Sequence, residues 1–325
     1  MCDNNDPRQN LACAGLVQPI SEKPQITNPQ RNFTFSGEIP PLSGMPLTTD
    51  TTSATNVAEA TRRLYLGLYP DAPDQPVRRL FAEADRLFSG QHPEYQANDL
   101  IYHDYRHTLQ VTVCYADIFA GRHAREPKAL GARHFQLGLA GALYHDTGYL
   151  KARADRAGTG AKYTYCHVLR SCALAASYLP AIGFTVEEID TVLGAIRRTG
   201  PSPPGTAQRF HSPEEQFLAS AVASADYIAQ MAAEDYPGEL DALYAEFTES
   251  DDYAGVPAPR RAFKSAADLA VRTPKFWLKV VKPKIETDFF GVHRYLEGPD
   301  GTNPWIEAIG SNLARITERA AATAT

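Results

Sequence analysis

The 325-residue chain has 43% hydrophobic and 22% charged side chains and a net formal charge of −6. That balance suits one large or two modest globular domains with a substantial core. It excludes the dense cationic surface that a nucleic-acid polymer demands, but leaves room for a small anionic substrate.

Residues 1–50 hold seven of the 24 prolines and no sustained helical period, and are read as an irregular arm. Residues 51–325 follow the pattern of a helical domain. Asp74-Gln75-Pro76 opens one helix, with Asp74 as its cap and Pro76 in the first turn. Leu80, Phe81, Ala84 and Leu87 supply its apolar face. Thr185-Val186-Glu187-Glu188 and Ser212-Pro213-Glu214-Glu215 are capping boxes, the first with Phe184 placed to staple onto Ile189. Alternating β-branched runs are nearly absent, so the fold is expected to be all-α with about eight to twelve helices. No apolar run nears the roughly 18 residues that span a bilayer. The first residues lack the regions of a signal peptide, and the five cysteines form no CxxC pair. A cytoplasmic chain with reduced thiols and no membrane partner is expected.

Three segments place titratable side chains on apolar stripes. In Tyr102-His103-Asp104-Tyr105-Arg106-His107-Thr108, a helix would point His103 and His107 the same way, in line with Val111, Cys114 and Ile118. A buried imidazole without a partner costs about 1–3 kcal/mol, so each needs one. The small-residue stretch Leu137-Gly138-Leu139-Ala140-Gly141-Ala142-Leu143-Tyr144 delivers His145 and Asp146 side by side, and an ionised Asp there needs a cation. Asp226 shares a helical face with Ala219, Val222 and Ala223. His107, His145, Asp146 and Asp226 together suit a divalent ion such as Zn²⁺, Mn²⁺ or Fe²⁺ with positions open for water, which such an ion acidifies.

With these residues in view, residues 100–230 resemble the HD-domain metal-dependent phosphohydrolase superfamily. A His, an adjacent His-Asp pair and a distant Asp occur in that order. Tyr102-His103-Asp104-x-x-His107 is closest to the cyclic-nucleotide phosphodiesterase branch, whose motif reads Tyr-His-Asn-x-x-His, with Asp104 here in place of Asn. The resemblance implies an HD-type helical bundle and hydrolysis of a small phosphorylated substrate. It makes His103 the general acid, His107, His145, Asp146 and Asp226 the ligands of one tight divalent ion (Zn, Mn, Fe or Mg), and Asp146 a bridge to a second. It also places His167 near that second ion or the substrate phosphate.

A phosphate wants a fixed cation. Arg106, Lys151, Lys162, Arg170, Arg197 and Arg198 are candidates, with Lys151 near the second motif and Arg170 one turn from His167 favoured, although each alone is more often a solvated charge. His211, at the start of the Asp226 helix, is set aside as about 22 Å from Asp226 along a straight helix. A dinuclear-iron oxygenase of the same superfamily is disfavoured because Ala195-Ile196-Arg197-Arg198-Thr199 lacks a further His. A metal-stabilised regulatory domain without activity is the non-enzyme alternative. Lys275-Phe276-Trp277-Leu278-Lys279-Val280-Val281-Lys282 is read as amphipathic packing.

Overall fold

The computed structural model describes residues 49–200 and 208–323. The proline-rich arm lies, but for Thr49 and Asp50, outside the described residues. Ten α-helices follow one another among these: α1 (Ala54–Leu68), α2 (Gln75–Phe88), α3 (Tyr105–Arg125), α4 (Ala132–Tyr144), α5 (His167–Tyr178), α6 (Val186–Thr199), α7 (Pro213–Ala232), α8 (Tyr236–Tyr253), α9 (Ala266–Phe276) and α10 (Pro304–Thr323). The described residues hold no strand, only an isolated bridge between Tyr95 and Ala152. The fold is all-α, as the periodicity implies.

The helix starts show which local signals were sufficient. Thr185 and Glu188 form the reciprocal box: the Thr185 hydroxyl accepts from the Glu188 N–H, and the Glu188 carboxylate accepts from the Thr185 N–H at 2.9 Å. At α7 only half of the box forms. Ser212 caps the Glu215 N–H at 3.1 Å, but the Glu215 carboxylate accepts from the His211 N–H instead. Asp74 makes no side-chain cap. Its carboxylate is taken by Arg62 at 2.9 Å and Arg78 at 3.0 Å, because two guanidiniums outcompete a backbone N–H.

α7 packs against α3, α4, α6 and α10. Every side chain from Phe217 to Ala225 on α7 and from Phe135 to Tyr144 on α4 is buried, so both helices are apolar all round and sit at the centre. Glycine makes these approaches close. A Cβ at Gly138 would overlap the Tyr115 hydroxyl, and one at Gly148 would overlap the His167 carbonyl. The second approach seats the start of α5 against the turn that follows Asp146.

Beyond α8, Pro274 and Pro283 lack the N–H that an α-helix needs, and the π-helical turns Trp277–Val281 and Lys284–Asp288 lie beside them. Trp277 and Val281 are buried and Leu278 is exposed, which is the amphipathic packing expected. No helix among the described residues is long and apolar enough to cross a membrane.

Candidate metal centre

The first histidine segment differs from its expected form. α3 begins at Tyr105, so His103 precedes the helix and does not share a helical face with His107. Asp104 is the reason. Its carboxylate accepts from the His107 N–H at 2.8 Å and starts the helix there. His103 is therefore carried by a turn, with its ring 5.9 Å from the His107 ring and nearly perpendicular to it.

Beside the start of α3, α4 stops at Tyr144, and His145 and Asp146 follow in a tight turn. The His145 Nδ1–H donates to the Ala142 carbonyl at 2.8 Å. That bond leaves Nε2 as the atom turned to the centre, the arrangement usual for an imidazole ligand. His145 Nε2 lies 3.3 Å from His107 Nε2, 3.3 Å from Asp146 Oδ2 and 3.7 Å from Asp226 Oδ1. His107 Nε2 lies 3.4 Å from Asp146 Oδ2 and 3.3 Å from Asp226 Oδ1. His107, His145 and Asp146 are buried and their ligand atoms fit within 4.8 Å of one another, so they form a group able to hold a metal ion. Asp226, held inside α7, adds its carboxylate beside both imidazoles. Two ring nitrogens and two carboxylate oxygens converging in a buried space need a cation or shared protons between them.

In the metal-free protein a proton fills part of that need. Burial disfavours the His145 imidazolium, but the charge and bond of Asp146 outweigh it and lift the pKa to about 9. Asp146 answers in the opposite sense. Burial pushes it up, yet the charge and bond of His145, with the charges of His167 and His103, hold it well below the usual carboxylate range.

The second oxygen of Asp146 faces away from this group. Asp146 Oδ1 lies 3.6 Å from His167 Nε2, while the His167 Nδ1–H donates to the Thr164 carbonyl at 2.7 Å. Burial lowers the His167 pKa. A ring nitrogen and a carboxylate oxygen therefore face each other across 3.6 Å. Tyr149 fills the space beside it, stacked between the His167 ring at 4.5 Å and the His103 ring at 4.7 Å.

Glu246, on α8, is a site residue that spacing did not reveal. His103 Nδ1 donates to Glu246 Oε2 at 2.6 Å, and the other oxygen accepts from the N–H groups of Ile101 and Tyr102. Burial disfavours the His103 imidazolium, but the bond and charge of Glu246 overcome it and raise the pKa above its ordinary value. A signal for Glu246 was present. It sits on the buried stripe of Leu240, Leu243 and Ser250 on α8, a carboxylate on an apolar face like Asp226.

The favoured cations serve other partners. Arg170 donates to the carbonyls of Gly148 and Leu150 at 2.6 and 2.7 Å and lies over the Tyr163 ring. Lys151 donates to the Gly158 carbonyl at 2.6 Å and pairs with Asp99 at 2.8 Å. Both brace the loop between Asp146 and His167 through local carbonyls and Asp99. Lys162 pairs with Asp155, and Arg106 with Asp235. His211 is exposed at the surface against Glu215, outside the cluster.

Compared with protein-family models, with curated proteins and with solved structures, the chain matches none.

Proposed function

We propose that the chain is an HD-type metal-dependent phosphoester hydrolase, acting on a small phosphodiester. The observation that carries this reading is the pairing of two unlike devices. A buried His-His-Asp group lies beside a separate histidine whose pKa is raised by its own carboxylate partner. A structural metal site has no use for the second device.

His107, His145, Asp146 and Asp226 would hold the tight ion, and Asp146 with His167 a weaker one. Two imidazoles among the donors favour Zn²⁺, Mn²⁺ or Fe²⁺ over Mg²⁺. Such a cation supplies Lewis acidity and acidified water when bound. The chain's own residues do the rest. Glu246 fixes His103 with Nδ1 protonated and favours its imidazolium form. His103 donates a proton from Nε2 to the departing oxygen of the ester. Tyr149, stacked on His103, limits rotation of that ring.

The test is a panel of phosphodiesters and phosphomonoesters assayed with protein loaded with Zn²⁺ or Mn²⁺. Turnover of a diester that disappears in His145→Ala supports the reading. Protein that holds its metal and hydrolyses none of the panel overturns it and leaves the metal-stabilised regulatory domain.

A further inference from the structure

Arg170 and Lys151 are braced on loop partners, and a further cation for a phosphorylated substrate is found elsewhere in the molecule. Arg198, in the last turn of α6, has the unusual environment. The residue is only 8% exposed. One terminal nitrogen donates to the Asp288 carbonyl, and the buried Nε has no hydrogen-bond partner. The guanidinium carbon stands 5.1 Å from the centre of the Phe289 ring and 5.7 Å from that of Phe210. Among the described residues it joins no ion pair. Two aromatic faces and one carbonyl are weak compensation for burying a full charge. Burial accordingly lowers its pKa, with Asp288 opposing only through its charge.

Three contacts set the end of α6 against chain neighbours of the metal-centre residues. Ala195, three residues before Arg198, lies against Gly141, which is one turn before His145. Gly200, two residues after it, packs on Val168 so tightly that a Cβ would meet that side chain at 2.9 Å, and Val168 adjoins His167. Phe289, which Arg198 faces, stacks on Tyr227 at 6.1 Å, and Tyr227 adjoins Asp226. The end of α6 is thus bracketed by neighbours of His145, His167 and Asp226.

We propose that Arg198 is the anion-recognising residue of the site and binds an oxygen of the substrate's phosphoryl group through its guanidinium, whose charge the protein leaves without a carboxylate partner among the described residues. The inference rests on the phosphoester reading above and adds the residue that orients the anion. A bound anion removes the cost of the unpaired charge and places a planar donor against a tetrahedral group, the geometry for which arginine is suited. The rings of Phe210 and Phe289 keep the guanidinium in place and dry, which strengthens that contact.

The experiment is calorimetric titration of inorganic phosphate into the metal-loaded full chain. Three proteins are compared: wild type, Arg198→Gln and Arg198→Lys, with metal content and melting temperature recorded for each. Glutamine removes the charge and keeps a polar donor, and the melting temperature shows whether the fold is kept. Phosphate should bind wild type and lose about tenfold to hundredfold in affinity in Arg198→Gln, with lysine recovering part of the loss and metal content equal in all three. Equal phosphate affinity in wild type and Arg198→Gln would overturn the assignment and leave Arg198 as a brace for the π-helical turn at Asp288. Wild type that binds metal but no phosphate would overturn the phosphoester reading itself, and the assignment with it.

Discussion

On the Oδ2 side of Asp146 stand His107, His145 and Asp226, and on its Oδ1 side stand His167, Tyr149 and, beyond it, His103. The first group is set by helices: the first turn of α3, the end of α4 and the middle of α7. The second is set by the first residue of α5, by the turns that carry Tyr149 and His103, and by a carboxylate, Glu246, that lies 143 residues away from the histidine it holds. Ligands on packed helices keep fixed separations, which a metal requires. The proton donor proposed for His103 needs an adjustable acidity, and a remote carboxylate across a loop would supply it.

Asp146 belongs to both sides, so its loss should have the largest effect. Asp146→Ala should strip nearly all bound metal and abolish turnover, as elemental analysis and a phosphodiester assay will show. Metal content equal to wild type would break the comparison at its centre. The two sides separate in the next pair of variants. His107→Ala should lose metal. His103→Ala should keep it and lose roughly 10²–10⁴-fold in turnover of unactivated esters. A nitrophenyl ester, whose leaving group needs no proton, should lose far less. Equal losses on both esters would leave His103 as a binding residue.

Glu246→Gln should have a smaller effect, about tenfold in turnover, the scale of one charge-assisted hydrogen bond. Its sharper signature is in pH. Glu246 raises the His103 pKa, and the acid must be protonated to act. Without the carboxylate the alkaline fall in activity should begin at lower pH, with metal content unchanged. An unshifted pH profile would detach Glu246 from the proton.

Stability of the metal-free protein tests the other side. The His145 pKa is lifted from an ordinary 6.5 to about 9 by Asp146. A group with a raised folded-state value contributes stability fully below about 6.5 and loses it as pH rises through about 9. The metal-free melting temperature should therefore fall between those values. The metal-loaded protein, in which His145 has given up that proton, should show no such fall. Matching pH profiles for the two forms would mean that His145 does not exchange a proton for metal.

Much of the helical side was legible because helix periodicity is local. An apolar stripe interrupted by Asp226, or ending in His145-Asp146, shows a buried charge without any knowledge of the fold. What stayed hidden depended on partners distant in sequence. Arg170 and Lys151 flank the motifs, but carbonyls and Asp99 occupy them. Glu246 met the same stripe criterion as Asp226, yet no nearby histidine drew attention to α8. The placement of His103 failed for a different reason: the four-residue spacing fits a continuous helix, and the cap that interrupts it lies inside the motif.

That cap gives the smallest and most discriminating change. Asp104 stands between the two histidines, and its hydrogen bond to His107 is through the backbone N–H. Burial raises its pKa, so its charge is not favoured where it sits. If Asp104 acts only as a cap, asparagine should serve as well, since both rank high at that position. Asp104→Asn should then leave melting temperature, metal content and turnover close to wild type. Asp104→Ala should cost about 1 kcal/mol, a fall of about 2–4 °C for a domain of this size. It should also loosen His103 relative to His107, lowering turnover more than metal content. A large loss in Asp104→Asn would show that the negative charge itself acts on the site, joining the two sides of Asp146 electrostatically rather than through helix geometry.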